Sequence, residues 1–262
     1  MSFQPVLPLG GYAGWMFLSR TLETQQATHK EGLTSDTEYF AEKIGEVRTV
    51  DDLMKDRRLL RVALGAFGLG EDVRNTYFIR KVLEEGVSNP DSLANKLSDK
   101  SYHALSEAFG FGAGEARRTG LAGFAEEISK AYELNRFEID VGEQNDDFRL
   151  ALNAQRELAE LAKEEMGGNA KWYTIMGSPP LRAVFETALG LPSSLAALDI
   201  DEQLTIFQEK LERKFGSGDI AQFAEDGKTD KLVQTFLLQS ELKQGVQSMS
   251  PASAALILVS GR

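Results

Sequence analysis

Two histidines, His29 and His103, are the residues of this chain best suited to proton transfer or metal binding. Neither has a second histidine at the spacing of a metal site, and the chain contains no cysteine to supply a thiolate ligand. The members of a Ser–His–acid triad meet only in space, so the sequence leaves that arrangement open, but no Gly-x-Ser-x-Gly motif supports it. We therefore expect no metal and no catalytic residue, and we predict that His103 is a surface or half-buried structural histidine on a helix.

Two glycine-rich stretches resemble phosphate-binding loops in sequence: GAFGLGEDVRN, which contains Gly68, and GFGAGEARRTG, which begins at Gly110. Neither follows a strand pattern, and neither ends in Gly-Lys-Ser or Gly-Lys-Thr. Each of these two glycines comes directly after a predicted helix, so helix termination explains them. Asp199 and Asp201 lack the glycine and the twelfth-position glutamate of a calcium loop, and Asp199 is predicted to cap a helix. We expect no cofactor.

The composition is that of a globular protein, because the 262-residue chain is 42% hydrophobic and 26% charged. This length forms one large domain or two small ones. The formal net charge of −11 argues against nucleic-acid binding, since phosphates repel an acidic surface. No apolar run reaches the roughly 18 residues of a membrane span, and no basic segment precedes an apolar one as in a cleaved signal peptide. We expect no membrane insertion, and the compartment stays open.

Helical periodicity dominates the sequence, and SPPLRAVFETALGLP at 178–192 shows it most clearly. Its apolar residues recur at the spacing of one helical face. Ser178 is predicted to cap this helix with Pro179 at its first position, and Gly190 is predicted to end it. No window shows convincing strand alternation. The predicted fold class is all-α, a multihelical array of longer and shorter helices.

Two stretches of the sequence recur in the same order, which predicts an internal duplication. LLRVALGAFGL at 59–69 matches LRAVFETALGL at 181–191, with identical residues at five aligned positions. SLANKLSDKSYHALSEAF at 92–109 matches DIAQFAEDGKTDKLVQTF at 219–236 more weakly. We predict four segments: a flexible N-terminus at 1–14, a first helical repeat at 15–120, linking long helices with a second repeat at 121–245, and a C-terminal tail at 246–262.

The chain ends in an apolar run, Ala254 to Val259, that does not follow the helical period. This run either tucks onto the protein's own core or docks on a partner, and the sequence leaves both readings open. Aromatic residues near the N-terminus mostly fill a core in proteins, although an exposed one is a strong contact residue. The candidates for partner contact are Leu256, Ile257, Leu258, Val259, Trp15 and Phe17.

Four long phrases point to one bacterial family. They are SNPDSLANKLSDKSYHALSEAFGFG at 88–112, AYELNRFEIDVGEQNDDFRLALNAQREL at 131–158, WYTIMGSPPLRAVFETALGLP at 172–192 and LDIDEQLTIFQEKL at 198–211. Together they resemble the domain of unknown function numbered twelve-seventeen. The resemblance implies a multihelical array built by duplication. It also implies a flagellar context, because its members are typical of alphaproteobacteria and many are encoded among flagellar genes. It brings no catalytic residue.

Three functional hypotheses follow from these observations. The first is a non-enzymatic structural or interaction protein, cytoplasmic or flagellum-associated, whose protein partner is a flagellar component. The second is an enzyme or small-ligand-binding protein that uses a crevice between the two repeats. The third is a flagellar export chaperone, which would hold an unfolded partner on exposed apolar helix faces. The oligomeric state and the identity of the partner stay open.

Overall fold

The computed structural model describes residues 4–248, and within that range the protein consists of twelve α-helices and four short 3-10 turns, with no strand. The all-α prediction is therefore confirmed. The helices are α1 (Gly11–Lys43), α2 (Val50–Lys55), α3 (Arg57–Ala66), α4 (Thr76–Glu85), α5 (Leu93–Lys96), α6 (Ser101–Phe109), α7 (Phe124–Gly142), α8 (Asp146–Lys163), α9 (Gly168–Gly177), α10 (Pro179–Leu189), α11 (Ile200–Phe215) and α12 (Lys228–Ser248). The 3-10 turns are Ile44–Glu46, Gly70–Arg74, Ser193–Ala197 and Ile220–Ala224.

The helices group into two compact units. Among the described residues, the first unit contains 4–7 and 18–144, and the second contains 8–17 and 145–248. The helix α1 therefore contributes its first turns to the second unit and the rest to the first. The predicted segments follow the sequence echoes instead, and they place α7 in the second half, whereas α7 packs against α3 in the first unit. The predicted repeat boundaries stay a prediction.

The core of the first unit forms where α3 lies on α7. Gly65 on α3 lets the two helices approach, because a Cβ atom at that position would lie 2.7 Å from the ring of buried Tyr132 on α7. Apolar side chains from the surrounding helices fill the rest of this core, among them Phe40, Ile44, Leu60, Leu64, Phe109, Phe124 and Ile128.

The N-terminus of α3 is fixed by one capping carboxylate. Asp56 accepts hydrogen bonds from the backbone N–H groups of Arg58 and Leu59, at 2.9 and 3.1 Å. The hydroxyl of Tyr39 on α1 donates to the other oxygen of the same carboxylate at 2.6 Å. The cap therefore also ties α3 to α1 inside the first unit.

The core of the second unit is built around Trp172 on α9, which is fully buried. Its ring centroid lies 5.4 Å from that of Phe185 and 5.6 Å from that of Phe207. The indole N–H donates to the carbonyl oxygen of Gly218 at 2.9 Å. Around this cluster, α10 packs against both α8 and α12.

The ends of α10 agree with the sequence analysis. Ser178 occupies the N-cap position, although its side chain makes no capping hydrogen bond, and Pro179 is the first helical residue. Gly190 follows the helix with a left-handed φ of 69°, which only glycine adopts without strain. Leu191 is then buried against the unit.

The first sequence echo has a matching geometry. Gly68 after α3 has a φ of 75°, close to the value at Gly190 after α10. In both places the next residue, a leucine, donates its N–H to the carbonyl five residues back, at 2.9 and 2.8 Å. Each unit then continues with a 3-10 turn, a helix, a short helical turn and another helix. This order supports the duplication, which stays a prediction because such helix ends are common in unrelated proteins.

The segment before α1 makes specific contacts with the first unit. Pro5 is buried, and its carbonyl oxygen accepts a hydrogen bond from the side chain of Gln144 at 2.8 Å. The N–H of Val6 donates to the side-chain oxygen of Gln25 at 2.8 Å. The sequence analysis placed these residues in a flexible N-terminus at 1–14, whereas Pro5 and Val6 make these bonds and α1 already begins at Gly11.

Candidate functional site

The predicted contact residues fall into three situations. Leu256, Ile257, Leu258 and Val259 lie outside the described residues. Trp15 is 5% exposed, and its ring lies 6.0 Å from that of Phe148 on α8, so it belongs to the core of the second unit. Phe17 is 37% exposed. Of the two N-terminal aromatic candidates, Phe17 is the one with an exposed side chain.

The last helix, α12, is fixed on its inner face. An apolar stripe of this face is buried in the second unit and consists of Leu232, Val233, Phe236 and Leu237. The hydroxyl of Ser240 donates to the carboxylate of Asp147 on α8 at 2.6 Å. On the same helix, Glu241 lies so close to Gly11 that a Cβ atom on this glycine would overlap its carboxylate. These contacts determine which face of α12 points outward.

The outward face of α12 carries two leucines, and we call this pair the outer ridge. Leu238 is 43% exposed and Leu242 is 62% exposed. They are four residues apart and therefore neighbours on the helix surface. A surface helix usually has one apolar stripe, whereas α12 has apolar residues on both faces. The sequence analysis missed this ridge, although the pattern of leucines after Phe236 contained it.

His29 is a buried residue of the first unit that joins α1 to α7. It is 4% exposed, and its Nε2 atom lies 2.8 Å from a carboxylate oxygen of Asp140. The other oxygen of this carboxylate accepts a hydrogen bond from Arg136 at 3.0 Å. The ring of Phe137 meets the imidazole edge-on at a centroid distance of 5.5 Å. Every one of these partners lies on α7, so the cluster fixes one helix against another.

The remaining candidates for chemistry have structural roles. His103 lies on α6 with a side chain 34% exposed, as predicted, and faces Glu107 at 3.8 Å. Asp199 caps α11 by accepting a hydrogen bond from the N–H of Asp201 at 3.0 Å, also as predicted. The carboxylate of Asp201 accepts a hydrogen bond from the hydroxyl of Tyr173 at 2.9 Å. Between residues 4 and 248, no cluster of three or more His, Asp or Glu side chains is placed to hold a metal ion.

The glycine stretch that begins at Gly110 forms a close backbone contact. Gly110 ends α6 with a φ of 62°, as predicted. A Cβ atom on Gly112 would lie 2.6 Å from the Cα of Gly86, so these two loops touch through their backbones. The carboxylate of Glu115 joins them by accepting hydrogen bonds from the N–H groups of Val87 at 2.6 Å and Ser88 at 2.8 Å.

The environment of Glu115 lowers its pKa. Burial by itself would raise the pKa of this carboxyl group, but the N–H donors of Val87 and Ser88 outweigh burial and hold the pKa below its usual value. A carboxyl group whose pKa is lower in the folded state stabilises the fold at pH values above its unfolded pKa, and this contribution disappears as the pH falls through the folded pKa.

Glu115→Gln is therefore expected to lower the free energy of unfolding at pH 7 by about 1–3 kcal/mol, because a neutral amide is a weaker acceptor than a carboxylate. Urea denaturation of both proteins between pH 7 and pH 3 would measure the difference, which should shrink at the acidic end. Glu31→Gln, an exposed glutamate on α1, is the control and should change little. A difference that stayed constant across this pH range would contradict the role of the charge.

None of the helices within residues 4–248 combines the length and the apolar character that crossing a bilayer requires.

Comparison with protein families identifies the relatives of the chain. Residues 66–229 match the family described as "Protein of unknown function (DUF1217)". The chain belongs to this family. This match confirms the resemblance to the family that the four stretches of sequence indicated. A crystal structure of a structural-genomics target from Agrobacterium tumefaciens is 27% identical in sequence and has a TM-score of 0.72, over 92% of this chain and 99% of that chain. A search of curated proteins found no match.

The DUF1217 match runs from the end of α3 to the first residues of α12. Phe17 and the outer ridge therefore lie outside the matched residues. The match covers the helices from α4 to α11, and any role of the outer ridge has to be argued from its own exposure.

Proposed function

We propose that this DUF1217 protein is a non-enzymatic interaction protein that serves flagellar assembly or function by contacting a folded flagellar component. The observation that carries the proposal is the outer ridge, where Leu238 and Leu242 are exposed on a helix whose opposite face already packs in a core. The apolar run from Ala254 to Val259 follows the same helix in the sequence. We place the partner contact on this ridge and this run, with Phe17 as a secondary contact.

Burial of the outer ridge by a partner is energetically favourable. Single exposed leucines are normal on protein surfaces. Two of them on one helical face form a small apolar patch, and exposed apolar patches mark interaction sites. Full burial of a leucine side chain contributes about 1.5–3 kcal/mol, so covering the ridge gives a partner a sizeable share of a specific contact.

The flagellar part of the proposal rests on kinship. The chain belongs to a family that the sequence analysis associates with flagellar genes, and the proposal transfers that context to this member. A folded component is proposed as the partner because the ridge is a short, rigid contact on a helix fixed by its inner face. An export chaperone would instead need long apolar grooves for an unfolded chain.

The experiment is a cross-linked pull-down of the tagged protein from motile cells, with identification of the recovered flagellar proteins. The test variant is Leu238→Ser/Leu242→Ser, and we expect it to recover at least about tenfold less of the flagellar partner, as is typical when central apolar contacts are removed. A form that ends at Gln247 tests the apolar run separately and should also lose recovery.

The matched control is Leu121→Ser/Leu198→Ser, because these leucines are 58% and 42% exposed, close to the two ridge residues. It removes the same side chains from other surfaces and should recover the partner normally. Equal recovery by the ridge variant and the control would move the contact away from α12. Recovery of no flagellar protein by the unaltered chain would refute the flagellar proposal.

A further inference from the structure

Residues 4–7, which we call the strap, lie in a cleft built around the side-chain amide of Gln25 on α1. Gln25 is 7% exposed. Its Oε1 atom accepts a hydrogen bond from the N–H of Val6 at 2.8 Å, and its Nε2 atom donates to the carbonyl oxygen of Val6 at 3.3 Å. The Nε2 atom also donates to the hydroxyl of Thr21 at 2.8 Å. The buried amide therefore pairs with both backbone groups of one residue, as a residue on a neighbouring β-strand does.

The cleft recognises a proline that is followed by a residue with a free N–H. Pro5 is buried, and its carbonyl oxygen accepts a hydrogen bond from the side chain of Gln144 at 2.8 Å. The side chains on either side, Gln4 and Val6, are exposed and add no selection. Without an occupant, the Oε1 atom of Gln25 would lose its donor, and a buried acceptor without a donor is unfavourable. The cleft therefore favours an extended proline-containing segment over an empty state.

The strap reaches this cleft only when the residues between it and α1 are nearly fully extended. From Gly11 to Gln25, α1 rises by about 21 Å, because each helical residue contributes about 1.5 Å. From Val6 to Gly11, the extended chain spans at most about 17 Å, so the side chain of Gln25 has to bridge the remainder. Gly11 has a φ of 62°, and the preceding residue is also a glycine, so this point of the chain can rotate. Short connections under strain promote the exchange of a segment between molecules.

We propose that the cleft binds the strap of a second copy of this chain, so that two molecules exchange residues 4–7 and form a dimer. The exchanged dimer keeps every hydrogen bond of the strap, with Gln25 and Gln144 of one copy holding Pro5 and Val6 of the other. It also releases the extended connection, because the chain no longer has to return to its own α1. The exchange is independent of the outer ridge on α12.

The first experiment tests the cleft with a peptide. The full-length variant Val6→Pro lacks the N–H that Gln25 accepts, so its strap is weakened while its cleft is unaltered. The probe is the acetylated hexapeptide amide QPVLPL, copied from residues 4–9, and amide shifts in NMR spectra follow its binding. We expect a dissociation constant of about 1 mM, and at least about fivefold weaker binding when valine is replaced by N-methylvaline, which lacks the same N–H. No binding at about 20 mM would overturn the proposal.

The second experiment tests the second copy as the occupant. Gln25→Ala removes the cleft and keeps the strap, whereas Val6→Pro keeps the cleft. Sedimentation equilibrium should show each variant alone as a monomer of 28.9 kDa, and their mixture at about 1 mM should contain a dimer. Gln26→Ala is the matched control, because it changes the next glutamine of α1 and should behave like the unaltered chain. Peptide binding without a mixed dimer would overturn the second copy as the occupant.

A third variant tests the extended connection. Insertion of three glycines between Leu9 and Gly10 allows the strap to reach its own cleft without full extension. We expect the unaltered chain to dimerise with a dissociation constant of about 1 mM, and the insertion to weaken this dimer at least about tenfold. Binding of the hexapeptide to the cleft should be unchanged when Val6→Pro is combined with the insertion. An equally strong dimer with and without the insertion would overturn the exchange.

Discussion

Replacement of Trp172 by alanine is expected to lower the free energy of unfolding of the second unit by about 3–5 kcal/mol, the usual cost of removing a large buried aromatic side chain. Trp172 is fully buried between Phe185 and Phe207, so its removal leaves a cavity lined by rings that are held by other helices. These rings cannot move far enough to fill the space, because Phe185 and Phe207 lie on two different helices.

Two further variants separate the causes of this loss. Trp172→Phe keeps most of the apolar contact and removes the indole N–H that donates to Gly218, so we expect a smaller loss of about 1–2 kcal/mol from the hydrogen bond. Tyr173→Ala is the neighbouring control, because Tyr173 is 38% exposed, and it should cost less than about 1 kcal/mol. Guanidinium titrations followed by circular dichroism measure all three. A loss below about 1 kcal/mol for Trp172→Ala would contradict the central place of this residue.

Gly65→Val is expected to destabilise the first unit by more than about 3 kcal/mol, because overpacking costs about 1–3 kcal/mol even for smaller insertions. The first carbon of the new side chain would lie 2.7 Å from the ring of Tyr132, and both residues are buried between α3 and α7. Gly65→Ala is expected to have a smaller net effect on stability, because the gain of about 1 kcal/mol in helix propensity opposes the clash.

The control for this prediction is Gly32→Ala on α1, where a Cβ atom meets nothing within 4 Å. Gly32→Ala should therefore stabilise the protein by about 0.5–1 kcal/mol. A double-mutant cycle tests the mechanism, because Gly65→Ala should cost much less in a Tyr132→Ala background that lacks the ring. Thermal unfolding measures each protein, and equal effects of Gly65→Ala in both backgrounds would contradict the clash.

Sequence reasoning succeeded where local chemistry decides the structure. The glycine and proline residues at the ends of α10 and the cap at Asp199 depend only on their neighbours along the chain, and the structure confirms them. The sequence analysis gave no bounds for the first helix, α1, because polar residues occupy inward positions: Gln25, His29 and Thr37 are buried and interrupt the apolar period.

The candidate surfaces were harder to predict, because they depend on which face of a helix meets its neighbours. Trp15 and Phe17 were taken together in the sequence, but residues two apart on a helix point to opposite sides, so one is buried and the other exposed. Leu237 and Leu238 are adjacent in the sequence, and only the contacts of α12 with α8 and α10 show which of the two is buried. The contact between His29 and Asp140 needs α1 next to α7, which no local pattern encodes.

Both tryptophans of the chain, Trp15 and Trp172, belong to the second unit. Fluorescence excited selectively at tryptophan therefore reports the unfolding of that unit alone, whereas far-ultraviolet circular dichroism averages the helices of both. A denaturant titration of the unaltered protein, recorded with both signals, acts as a test of cooperativity. Superimposable curves would mean that the two units unfold together in one cooperative transition. Separated midpoints would mean that each unit has its own free energy of unfolding.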